Sequence, residues 1–80
     1  MNKYTYKFQS KCPNNNDVIT YKLVITTDQI IMVESLVEYL AKNHNSSYHE
    51  AIADSLRDVF PGSQYICANH HGVLIETWRK

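Results

Sequence analysis

Three short stretches of this 80-residue sequence carry side chains able to do chemistry. Cys12 stands before Pro13 and a run of asparagines, with Asp17 five residues further on. A thiol reacts as its thiolate, so such a cysteine needs a lowered pKa or a proton acceptor within reach, and Asp17 is the nearest candidate. The alternative is a small apolar plug at the end of a strand. Tyr48-His49-Glu50 follows Ser47, and the Ser47–Glu50 spacing reads as a capping box at a helix start. The same carboxylate, set among free backbone amides, can instead accept two parallel N–H donors from a guanine-like edge. His49 has a reference pKa near neutrality and suits proton transfer, although a first-turn histidine is commonly solvated. Cys67, His70 and His71, with His44 further back, are zinc-ligand types. They lack any paired Cys-x-x-Cys or His-x-x-x-His spacing, so no metal site is expected.

The elements that must position these residues follow from periodicity. Tyr4, Tyr6 and Phe8 alternate with Thr5, Lys7 and Gln9, the period-two pattern of a strand with one buried face. Cys12 to Asp17 is a turn-rich loop, and Ile19, Tyr21, Leu23 and Ile25 line a second strand that pairs with the first as a hairpin. Ile30, Val33, Val37 and Leu40, with Leu36 beside them, have helical spacing. The helix starts either at a Thr26–Gln29 capping box or, after an extended lead-in, near Glu34. A second helix carries Tyr48, Ile52, Leu56 and Val59 and runs to Phe60, where Pro61-Gly62 stops it. Two β-prone runs, Gln64 to Ala68 and Val73 to Arg79, flank Asn69-His70-His71-Gly72 and form a second hairpin. The expected fold is α+β, ββααββ, with a four-stranded antiparallel sheet, two helices on one face and a single domain over residues 1–80.

Composition bounds the function. Eight basic residues balance eight acidic ones, so the formal charge is zero and the net electrostatic footprint of a nonspecific nucleic-acid binder is missing. No apolar run approaches the roughly 20 residues of a membrane span, and no apolar signal core opens the chain, which reads as cytoplasmic. Cys12 and Cys67 are accordingly expected as free thiols. A chain this short buries little core, and its sheet edges stay open, so partner subunits are expected.

Three motifs in order, Phe8-Gln9-Ser10-Lys11-Cys12-Pro13 with Asp17, Val33-Glu34-Ser35-Leu36 with Tyr39-Leu40, and Tyr48-His49-Glu50, together with the element order, resemble the tunnelling-fold proteins. Within them the chain resembles the nitrile reductase of queuosine biosynthesis and its amidine-forming relatives. The resemblance implies a cysteine that attacks the nitrile carbon of 7-cyano-7-deazaguanine to give a covalent thioimide. It gives Cys12, Asp17 and His49 catalytic parts, Asp17 handling the proton and His49 assisting proton transfer or orientation, and it makes Glu50, Glu34 and Ser35 substrate-binding residues. It also implies a homo-oligomer with sites between subunits, acting on the purine-like nitrile or on a modified nucleic acid carrying it. The Cys12–Asp17 loop is shorter than is usual in that family. The reductases bind NADPH through lysines where this chain has Ser35-Leu36-Val37-Glu38, so ammonia or an amine is the more fitting second reagent. Two other readings stand beside this one: a noncatalytic interaction protein, such as an inhibitor encoded by a mobile element, and a purine-binding member of the fold without chemistry.

Overall fold

A computed structural model describes all residues, Met1–Lys80. The order is β1 (Asn2–Lys11), β2 (Val18–Thr27), α1 (Val33–Asn43), α2 (His49–Val59), β3 (Ser63–His70) and β4 (Val73–Arg79). The strands form one antiparallel sheet in the order β1-β2-β3-β4, so each pairs with its sequence neighbour and β1 and β4 are the edges. The helices join the two central strands. They cover the face that presents Phe8, Tyr21, Leu23, Ile25, Ile66 and Ala68, where they add Leu36, Leu40, Ile52, Ala53 and Leu56 to a single core. No helix is long and apolar enough to cross a membrane.

Several local expectations are corrected. α1 begins at Val33 after an extended Met32, and Thr27 Oγ1 accepts from the Gln29 amide, so Thr26 and Gln29 form no capping box. Leu36 and Leu40 supply the buried stripe of α1, while Val33 and Val37 remain exposed. On α2 the buried set is His49, Ile52, Ala53 and Leu56, and Tyr48 and Val59 face solvent. The second hairpin is tighter than the composition of its loop suggests. β3 continues through His70, and only His71 and Gly72, both at positive φ, make the turn. Two consecutive positive-φ residues match the right-handed strand twist and close a hairpin in two residues.

Candidate active site

Cys12, the first residue beyond β1, is held from both sides of its peptide. Its amide donates to the Asp17 carbonyl at 2.8 Å, and its carbonyl accepts from the Asn16 amide at 2.8 Å. Asn16 takes the positive φ that lets this short loop turn back. The linker between the helices then runs beside the end of β1. Lys11 donates its amide to the Asn45 carbonyl at 2.9 Å, and the Ser47 amide donates to the Lys11 carbonyl at 3.1 Å. These two bonds bring the start of α2 to Cys12 across more than thirty residues of sequence.

The result is a pocket of about 230 Å³ lined by Cys12, Tyr21, Tyr48, His49, Glu50 and His70, with Ser47 and Ile75 completing it. Tyr21, from the middle of β2, is fully buried. Burial, and then the charge of the Cys12 thiolate, push its pKa up to about 12. His49 is buried rather than solvated, its Nε2 paired with Thr77 Oγ1 at 3.0 Å. Burial first, and then the neighbouring His70 ring, hold its pKa below the usual imidazole value, with Glu50 opposing the shift. The three rings meet at close range: Tyr21 and His49 are tilted with centroids 5.4 Å apart, and His70 meets each edge to face, 5.5 Å from His49 and 5.9 Å from Tyr21. Each ring keeps one buried polar atom without a protein partner: Tyr21 Oη, His49 Nδ1 and His70 Nε2. Buried polar atoms are nearly always paired, so three orphans on residues that line one cavity are unusual.

Glu50 is not a cap. The N-cap position of α2 is Tyr48, without a side-chain cap bond, and Ser47 Oγ lies 2.9 Å from His44 Nδ1. Glu50 Oε2 instead accepts from Arg79 Nη2 at 2.7 Å, while Arg79 Nε donates to Asp54 Oδ1 at 3.0 Å. Glu50 lines the pocket, but its side chain stays 70% exposed and its carboxylate is held by Arg79, which lies outside the lining.

The remaining expected site residues lie elsewhere. The Asp17 carboxylate does not line the pocket. It sits 3.6 Å from His71 Nε2 at the tip of the second hairpin, so this residue serves Cys12 through its main chain. Glu34 and Ser35 are exposed on the first turn of α1. That turn follows Ile31, whose amide donates to Tyr4 Oη, eight residues up β1 from Cys12 and so at the opposite end of the sheet. Within one chain neither Glu34 nor Ser35 reaches the pocket. The zinc-type residues do not meet either. Cys67 points to the open face, His70 to the pocket, and His71 occupies the turn. His44 is buried between Ser47 Oγ and Ser55 Oγ, 2.9 Å from each. Cys12 and Cys67 are free thiols on opposite faces.

Sequence reasoning missed Tyr21 and His70. Tyr21 occupied a core position of an apolar strand, and His70 lay in a presumed loop. The available signal was register, since Tyr21 pairs with Ala68 and inward-facing residues two apart on β3 include His70. Comparison with protein families, with curated proteins and with solved structures finds no match for this chain.

Proposed function

We propose that the pocket is a covalent ligand site in which Cys12 attacks the nitrile of 7-cyano-7-deazaguanine. The observation that carries this reading is the meeting of Cys12 with His49 and Glu50 on one small cavity, because the resemblance requires that convergence and nothing in the periodicity dictates it. The sulfur forms a bond to the nitrile carbon while one C–N π bond opens and the thiol proton ends on the nitrile nitrogen, giving a thioimide. His49 carries that proton, and its unpartnered Nδ1 supports the role. Asp17, whose carboxylate faces His71, acts by fixing the Cys12 backbone. Glu50 accepts the ring N–H and exocyclic amine of the purine-like edge, exchanging its bond with Arg79 for the ligand.

Ammonia or an amine then adds to the activated carbon, and the Cys12 thiol leaves as the amidine forms. The absence of lysine from Ser35-Leu36-Val37-Glu38 favours this second reagent over hydride from NADPH. The cavity, at about 230 Å³, is smaller than the roughly 300 Å³ lower bound of ordinary ligand pockets. Together with the edges of β4 and of β1 before its Lys11 bridge to the helix linker, that supports closure of the site by a neighbouring copy.

The test is incubation with 7-cyano-7-deazaguanine followed by intact mass measurement. An adduct of the whole nitrile on the wild type, absent from Cys12→Ala, is expected. An unmodified wild type, or an equal adduct on Cys12→Ala, overturns the reading. Supplying ammonium or NADPH to the adduct separates amidine formation from reduction. The Asp17–His71 pairing favours one other reading, a binding site without turnover, for which the adduct persists under both reagents.

A further inference from the structure

The face of the sheet turned away from the helices has a charge pattern that the neutral total conceals. Glu76 is the one carboxylate in the four strands, whereas α1 and α2 together hold Glu34, Glu38, Glu50, Asp54 and Asp58. Lys3, Lys7 and Lys11 project from alternate outward positions of β1, and Lys22 projects from β2. Register puts Lys7 directly opposite Lys22, and Lys22 opposite Cys67, which faces Glu76. Like charges directly opposite in a sheet repel, so the Lys7–Lys22 pair is a standing cost that an anion between the two would remove. Glu76 makes no ion pair with either lysine: Cys67 stands between it and Lys22, and its Oε2 accepts from Tyr65 Oη at 2.5 Å.

One step along the sheet, Tyr65 pairs with Trp78. Their ring centroids are 5.4 Å apart, and Trp78 is 62% exposed. A large indole left in water beside a phenol, adjoining a lysine cluster, combines a π surface with phosphate-binding cations. Those are the two components that hold single-stranded nucleic acid: cations track the backbone while aromatic faces stack the bases. We propose that this open face binds single-stranded nucleic acid, with Trp78 and Tyr65 stacking bases and Lys7, Lys22 and their neighbours on β1 meeting phosphates. The proposal is independent of the Cys12 pocket, which lies on the other face.

The experiment titrates a labelled ten-nucleotide uridine RNA and its deoxythymidine counterpart into the full chain, reading anisotropy and the emission of Trp78, the sole tryptophan. Binding with quenching is expected. The logarithm of the association constant should fall against the logarithm of salt with a slope of about −2 to −3, as about four phosphate contacts imply. Trp78→Ala should weaken binding about tenfold. Lys22→Gln should reduce the slope by about 0.7, while Lys42→Gln on α1 should leave both affinity and slope unchanged. Absence of binding overturns the proposal, as does an equal loss in Lys42→Gln and Lys22→Gln. Sedimentation showing a dimer that buries Trp78 and excludes the oligonucleotide overturns it in favour of a second copy as occupant.

Discussion

Tyr21 and His49 pack with ring centroids 5.4 Å apart, and each directs a buried polar atom that no other protein group meets. Leaving such atoms unpaired opposes folding by about 1–3 kcal/mol each, a local cost that the proposed ligand site would explain. Tyr21→Phe removes the orphan hydroxyl at nearly constant volume. We expect unchanged or raised stability in urea, by up to about 1 kcal/mol, together with at least a tenfold slower thioimide adduct. A clear loss of stability in Tyr21→Phe would mean that the hydroxyl is already satisfied and has no ligand to serve.

The two buried histidines set an acid limit. Burial lowers the pKa of His44, and burial with the His70 ring lowers that of His49. In the unfolded chain both rings titrate near pH 6.5. Below that value the unfolded chain takes up protons that the folded chain refuses. Stability is therefore full above about pH 6.5 and falls as the pH drops beneath it, by up to about 1.4 kcal/mol per pH unit for each ring. The opposite limit comes from Tyr21, whose raised pKa of about 12 keeps it neutral when folded. An unfolded phenol ionises near pH 10, so stability is lost again between about pH 10 and pH 12. Urea midpoints from pH 5 to pH 11 check both limbs, and a flat profile below pH 6.5 would show that neither imidazole is held neutral.

Element types and order were legible because alternation on Tyr4-Tyr6-Phe8 and on Ile19 to Ile25 leaves little choice of face. The helical stripe was less so. Val33, Val37 and Val59 are apolar at helical spacing yet exposed, since the sheet is narrow and Leu36, Leu40, Ile52 and Leu56 already cover it. Cys12 and Tyr48-His49-Glu50 were identifiable as candidates, but their meeting depends on Asn45 and Ser47 pairing with Lys11, a long-range contact with no period in the sequence. Ser47 and Glu50 have the spacing of a capping box, but nearby His44 and distant Arg79 take their side chains instead. Net charge was blind to the lysine face for a similar reason, because a sum over residues carries no information about sides.

The two glycines should lose stability to different degrees. Gly62 has φ +100° at the entry to β3, and an added Cβ there would lie inside contact distance of the Thr26 carbonyl oxygen and Thr27 Cβ. Gly72 has φ +84° in the hairpin turn, with open space around it. Gly62→Ala must both strain its backbone and push β2 away, at a cost of at least about 2–3 kcal/mol. Gly72→Ala carries only the conformational part, about 1 kcal/mol. Thermal denaturation of the two variants side by side measures the difference, and equal losses would show that β2 yields freely at Thr26.

Arg79 joins Glu50 and Asp54 at the surface, with its own side chain 29% exposed and the carboxylates 70% and 67% exposed. Ion pairs this open contribute little to stability, so neither Arg79→Met nor Glu50→Gln should unfold the chain. Their effects on the pocket should differ. Glu50→Gln keeps the shape but replaces one acceptor oxygen with a donor, and adduct formation with 7-cyano-7-deazaguanine should fall at least tenfold. Arg79→Met releases Glu50 from a competing partner, so the adduct should form as fast as in the wild type or faster. Mass spectrometry of both variants over time separates the two roles of this carboxylate. Equal slowing in both would mean that Glu50 matters through Arg79, as part of the wall, and does not touch the ligand.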